Sequence, residues 1–549
     1  MTTPLRAQRD QPVKAPETSA PADAAGTVGG ARGVSEHPHV NPWIVAIAVM
    51  FATFMEVLDT TVVNVSLPHI AGNLSATIDE ATWALTSYLV ANAIILPMTG
   101  WLASVFGRKR LLMLSVAGFT VSSFLCGLAP NLEMLILFRC LQGATGGAMQ
   151  PLSQAVLLEA FPPSDRGKAM GFWGLGIVVA PIFGPVLGGW LTDNWSWRWV
   201  FYINIPVGIT SLIMTRLFIF DPAYLRRQRG RIDYWGIGML AVGIGTLQFV
   251  LDKGQEADWF SSTLITTLAV LSAITLIWLV IHELRTSDPV VDLRVFKVRS
   301  YAVGVFLMTV VGFVLYGSLV LLPIMLQTLL GYPPMLAGIA MAPRGVGSFF
   351  MMPLTGMMTG RFDARKLLTV GLVIGGVSLL WLSRLNLEAG YWDIFWPQLI
   401  QGAGLSLFFV PLTTVSMDAI PRERMGNATS LFNLMRNIGG SIGIAMTGTM
   451  LARHQQAMTS TLGAHVTSFD AASQSLFFGM RDSFIAAGAD ATTATNRAYA
   501  ALAGIVQRQA AMVSFVMIFQ VLGLVFLGLL PLILLMKRPG HGAGTPAAH

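Results

Sequence analysis

About fourteen apolar runs, each near the 20 residues that one helical crossing of a bilayer needs, divide the chain from residues 43–66 to 510–536. A chain patterned this way has few ways to fold. Hydrocarbon offers no partner for backbone N–H and C=O groups, so each run must close its hydrogen bonds within itself as a helix. The expected fold is an all-α polytopic membrane protein, and a content of 54% hydrophobic against 11% charged residues fits no ordinary soluble domain.

Net charge is +7, yet the basic residues form short clusters between runs with no long basic stripe, which argues against nucleic acid as a partner and for the lipid bilayer. Arg108 to Arg110, Arg166 with Lys168, Arg226 to Arg231, Arg285 to Arg299, Arg361 to Lys366, Arg422 with Arg424, and Lys537 with Arg538 fall in alternate loops. By the positive-inside rule that side is cytoplasmic, and an even number of crossings puts both termini there. Trp195, Trp197, Trp199, Phe201 and Tyr202 are then expected as an interfacial belt on the outer face. Cys126 and Cys140 lie within apolar runs, and the eight His residues show no ligand or general-base spacing, so neither a metal nor a cofactor is expected. Gly167-Lys168 lacks the rest of a phosphate loop, so no ATP site is expected.

The chain also repeats itself. GWLASVFGRKRLL from Gly100 aligns without a gap on GMMTGRFDARKLL from Gly356, and Gln142, Gly143 and Pro151 echo as Gln401, Gly402 and Pro411. Two parallel six-helix pseudo-repeats with two extra linking helices account for this, an architecture that places a substrate site between the halves near the midplane. The expected domains are a disordered tail at 1–42, an N-terminal half at 43–220, linking helices with flanking loops at 221–300, a C-terminal half at 301–536, and a second tail at 537–549. Within the C-terminal half, about 453–508 is a long polar outer segment with moderately helical stretches.

Glu56 and Asp59 stand in the first apolar run, three residues apart on one helical face that Thr60 and Asn64 extend. An acid at mid-bilayer costs about 2.5–3.5 kcal/mol on insertion scales, so such residues face a cavity or a partner. Arg139 lies in another membrane run, with Gln398 at its repeat position, while Glu56 and Asp59 fall against residues near Val314 and Gly317. Charges present in one half alone point to energy coupling: an arginine favours an ionised carboxylate, burial favours a neutral one, and a group moved between the two settings carries a proton. A fixed structural ion pair is the other reading of Arg139. Thr60, Asn64, Gln142, Tyr316 and Gln401 are the polar candidates for lining a substrate cavity.

These motifs together resemble the fourteen-helix drug:proton antiporters of the major facilitator superfamily. VLDTTVVNVSLP from Val57 resembles their first-helix signature, and FRCLQGATGGA from Phe138 their fourth-helix motif, whose arginine is implicated in proton translocation. Gly100, Gly107, Arg108 and Lys109 match the superfamily's cytoplasmic gating loop, with Ser104 where the usual pattern has Asp. APIFGPVLGG carries the antiporter motif at Ala180, Pro181, Gly184, Pro185, Gly188 and Gly189. Its small residues every fourth position offer a smooth face for close helix packing. The resemblance implies a proton-coupled multidrug exporter working by alternating access in a bacterial inner membrane, not an enzyme. Its cargo would be lipophilic, cationic or aromatic drugs. It implies further a tripartite assembly with a periplasmic adaptor, a membrane fusion protein, and an outer-membrane channel. The alternative is a narrow-substrate facilitator that exports or imports a single metabolite.

Overall fold

The computed structural model describes residues 41–221 and 232–536. The expected tails, the basic cluster Arg226 to Arg231, and Lys537 with Arg538 lie outside these, apart from residues 41 and 42. The described residues form helices α1 (Pro42–Asn73), α2 (Ile78–Phe106), α3 (Arg108–Leu128), α4 (Leu132–Gly146), α5 (Met149–Ala160), α6 (Arg166–Asn194), α7 (Trp199–Tyr202), α8 (Asn204–Phe218), α9 (Tyr234–Lys253) and α10 (Thr263–Arg285). After them come α11 (Arg299–Thr328), α12 (Pro334–Thr359), α13 (Ala364–Leu382), α14 (Tyr391–Asp418), α15 (Met425–His465), α16 (Ala471–Ala486), α17 (Ala491–Leu527) and α18 (Leu530–Ile533). Eleven stretches are long and apolar enough to cross a membrane. With the broken α4–α5 segment, α6 and α15, they account for about fourteen crossings.

Helix ends are set by local chemistry. Asn41 accepts from the Trp43 N–H ahead of Pro42 at the start of α1, and Thr77 with Glu80 forms a capping box at the start of α2. Gly107 ends α2 at φ +85°, a left-handed conformation that a side chain would resist, and so turns the chain straight into α3.

Helices α1 to α8 pack mainly on one another, as do α11 to α15 with α17, while α2 lies along α15 and α6 along α12 where the two groups meet. Direct hydrogen bonds across this junction gather near the basic loops. Arg166 donates to Asp418 at 3.1 Å, Thr429 to the Pro151 carbonyl at 3.0 Å, Asn433 to Gln154 at 2.6 Å and Arg436 to Gln150 at 2.6 Å. Backbones also touch there. A Cβ on Gly356 would lie 2.7 Å from the Gly167 carbonyl oxygen, and one on Gly100 would lie 2.6 Å from the Asn427 backbone. The two groups are therefore closed against each other on the basic side.

The linking helices α9 and α10 pack on each other, and α9 also touches both α2 and α15. Gln248 and Ser441 exchange hydrogen bonds at 3.0 and 3.1 Å, Trp259 donates to Thr449 at 2.8 Å, and Lys253 donates to Thr82 at 2.6 Å. Thr86 also donates to Asp252. They cover one seam between the two groups of helices.

Two expectations need correction. Trp197 and Phe201 are buried at 1% and 0% exposure, so only Trp195 and Trp199 stand out as an exposed aromatic pair. The segment at 453–508 is mostly helical: α15 runs on to His465, α16 follows, and α17 starts at Ala491. Small and polar residues dominate there, which hides the apolar period of a helix that no core covers.

Candidate functional site

Asp59 is fully buried on α1, and three helices converge on its carboxylate. Arg139 of α4 donates to Oδ2 at 2.5 Å, Gln142 of α4 to Oδ1 at 2.9 Å, and Asn204 of α8 to Oδ1 at 2.7 Å. Arg139 and Gln142 share a face of α4 one turn apart, so one helix supplies both groups. The arginine is itself held. Its Nε donates to the Ala84 carbonyl at 3.1 Å, its NH1 to the Gln142 side-chain oxygen at 2.7 Å, and its guanidinium lies over the Tyr88 ring, 4.2 Å from the centroid. Gly143 permits that approach, because any Cβ there would run into the Tyr88 carbonyl of α2. Asn204 also donates to Ser123 at 3.0 Å, and Ser123 to the Phe201 carbonyl at 2.9 Å, which fixes the start of α8 against α3.

Glu56, 4% exposed, occupies a separate setting one turn earlier. Its Oε1 accepts from Asn92 of α2 at 3.0 Å, and its Oε2 is buried without a partner. Arg436 of α15 lies within electrostatic reach and bonds Gln150 of α5 at 2.6 Å, so Glu56 sits by the junction of the two groups of helices. The expected shared face of the two acids thus opens onto two different environments, one inside a helix group and one at its edge.

Of the cavity candidates, only Gln142 joins the Asp59 cage. The Thr60 hydroxyl donates back to the Val57 carbonyl at 2.8 Å, and Asn64 is exposed two turns along α1 from Val57. Tyr316 covers Gly440 on α15, and Gln401 lies 5% exposed in a cavity of the second group of helices. Asn204 was missed. Its run begins INIPVG, where an asparagine before a proline reads as a turn residue.

The small residues of α6 meet α1. Ala180 is fully buried, Gly184 faces Thr61, and a Cβ on Gly188 would lie 2.8 Å from the Val62 carbonyl. Gly189 has room beside it, and Pro181 is half-buried. Pro185 falls within the continuous α6, and its side chain is not among those described. Farther along, Ser66 and Thr192 hydrogen-bond at 2.7 Å. In the α2–α3 loop, Arg108 pairs with Glu159 of α5, while the Lys109 backbone donates to Asp221 at 2.8 Å and its ammonium to the Arg216 carbonyl at 2.7 Å. Ser104 donates only to the Trp101 carbonyl of its own helix, at 2.7 Å.

The arrangement is one of buried charge with no catalytic constellation. Among the described residues no group of His, Cys, Asp and Glu could hold a metal ion.

Comparison with known proteins agrees with this geometry. The family model described as Major Facilitator Superfamily matches residues 49–444. The chain is 42% identical to the multidrug export protein EmrB of Haemophilus influenzae over 80% of this chain and 87% of that protein. It is 37% identical to the fatty acid resistance protein FarB of Neisseria gonorrhoeae over 91% of this chain and 97% of that one. Among solved structures, the human organic anion transporter MFSD10 matches with a TM-score of 0.58 at 11% identity, over 91% of this chain and 100% of that one, a likeness of fold.

Proposed function

The chain belongs to the major facilitator superfamily, and from that premise we propose that it is a proton-coupled multidrug exporter. It is a multi-pass membrane transporter, not an enzyme. The observation that carries the proposal is the Asp59–Arg139 pair, 0% and 1% exposed, in a protein whose relative is named for multidrug export. Buried pairs that serve only stability gain little over an apolar replacement, so a lone pair in a membrane core is read as functional.

In this reading the basic side is cytoplasmic, both termini lie there, and the membrane is a bacterial inner membrane. The state described is closed to the cytoplasm. Asp59 takes a proton from the opposite side, which loosens its hold on Arg139 and releases drug; deprotonation towards the cytoplasm restores the pair and the affinity for drug. Glu56 shares the coupling, or sets a preference for cationic drugs. The halves rock about α2–α15 and α6–α12, where glycines such as Gly356 let backbones meet. Each unit charge moved through 100 mV supplies about 2.3 kcal/mol, close to a fiftyfold concentration ratio, enough for useful export without ATP. The helices at 453–508 then project from the outer face, where a periplasmic adaptor of a tripartite system would meet them. FarB's name for fatty acid resistance favours a second reading, in which amphiphilic acids are substrates as well.

The test is uphill movement of a lipophilic cationic dye in liposomes carrying the purified protein, against an imposed pH gradient. Dye accumulation that collapses with a protonophore is the expected result. Accumulation unchanged by the protonophore overturns proton coupling.

A further inference from the structure

The first group of helices neutralises its buried arginine with an acid. The second repeats the architecture, keeps a buried arginine, and has no acid beside it. In the register that sets Gly100 against Gly356, Arg344 of α12 stands at the position of Tyr88; in the register that sets Gln142 against Gln401, Gln398 stands at that of Arg139. Near Gly317 the carboxylate of Asp59 has no counterpart.

Arg344 is 8% exposed. Its one hydrogen bond among the described residues runs from NH1 to the Ser318 hydroxyl at 3.5 Å, the outer limit of such a bond, and no ion pair includes it. The guanidinium is instead part of the lining of a narrow cavity with Val311, Val314, Gln401, Leu405 and Phe526, with room at its centre for about one water-sized group. Gln401 accepts from Gln398 at 3.3 Å, which leaves its own NH2 to donate, while the Gln398 oxygen has no partner. A cation withdrawn from water is costly unless paired, and a guanidinium presents a planar fork of donors that suits an anionic group with two oxygens.

We propose that this cavity is an anion site, in which Arg344 and Gln401 hold a monoanionic head group and the surrounding apolar side chains meet the attached hydrocarbon. The chemistry fits a carboxylate of an amphiphilic substrate or a free halide. The proposal extends the exporter reading above to lipophilic anions, and it is tested by binding rather than by transport, so that either can fail without the other.

The experiment uses the purified full chain in nanodiscs, with sodium benzoate as the probe, benzamide as its uncharged counterpart and sodium chloride as the halide. Wild-type protein should bind benzoate and raise its Tm, with no response to benzamide. Arg344→Gln should weaken benzoate binding tenfold or more, with Arg344→Lys between the two because an ammonium lacks the fork. Should Arg344→Gln fail to fold, Gln401→Leu tests the same site and should weaken benzoate several-fold. A Tm rise with chloride but not benzoate, lost in the same variants, supports the anion site and assigns it to a free halide. Equal benzoate binding by wild type and Arg344→Gln, equal binding of benzamide, or no response to either anion overturns the proposal.

Discussion

Asn204 donates to the same oxygen of Asp59 that Gln142 reaches, at 2.7 Å against 2.9 Å. The carboxylate is thus held from α8 as well as from α4, and the start of α8 is tied to the state of the acid. Replacing Asn204 with Ala removes one hydrogen bond to a buried charged group, a loss of about 1.5–3 kcal/mol. The expected outcome is a lower Tm together with slower dye export in liposomes; a variant with both unchanged would leave Asn204 outside the coupling.

Breaking the Asp59–Arg139 pair from one side strands a buried charge, a cost of about 3–5 kcal/mol. Asp59→Asn should still insert, since the apolar spans decide insertion, but should lose gradient-driven export. Arg139→Gln should be destabilised to a similar degree, and the double variant by less than the two singles added together. Thermal unfolding of the four proteins reads the coupling energy, and additive losses would show that the pair is not coupled.

Gly356 meets Gly167 backbone to backbone on the basic side, where a Cβ would fall 2.7 Å from a carbonyl oxygen. Neither atom is the end of a flexible side chain, so Gly356→Val must hold the two groups of helices apart. In a chain with Cys140 replaced by Ser, a Gln154→Cys probe, buried at the closed junction, should then react faster with a maleimide. A shift of about 1.4 kcal/mol towards the open form raises that rate tenfold.

Asp470 and Asp490 cap α16 and α17 outside the membrane spans, and each is held below the usual aspartate range by hydrogen bonds from Ser473 and Thr493 respectively. A carboxylate lowered in the folded state stabilises the fold above its unfolded value, about 3.9, and loses that contribution as the pH falls through the lowered value. Amide exchange at 471–474 and 491–494 should therefore stay slow at pH 5 relative to intrinsic rates and lose protection below the ordinary aspartate range. Asp470→Ala should show that loss of protection in α16 at any pH.

The features set by hydrocarbon were legible in the sequence. Apolar length gives the crossings, and a buried acid or arginine stands out because nothing cheap explains it. Partners were harder to read. Asn92 and Asn204 look like unremarkable polar residues until α2 and α8 bring them within 3.0 Å of Glu56 and Asp59 respectively. Gln142 and Gln401 look equivalent in the repeat, yet one meets an acid and the other a cavity beside an arginine. Repeat symmetry carries the backbone path across the chain, but the chemistry at each position depends on neighbours that the symmetry does not copy.

The two seams between the groups of helices do not share the same surroundings. Protein, in the form of α9, fills the edge between α2 and α15, while α6 and α12 present exposed Phe183, Trp190, Met335 and Phe350. In a bilayer, acyl chains would press directly on one joint and be kept off the other. Lateral pressure and bilayer thickness then act as a one-sided load on the rocking halves, and the same lipid change has unequal leverage on their two edges.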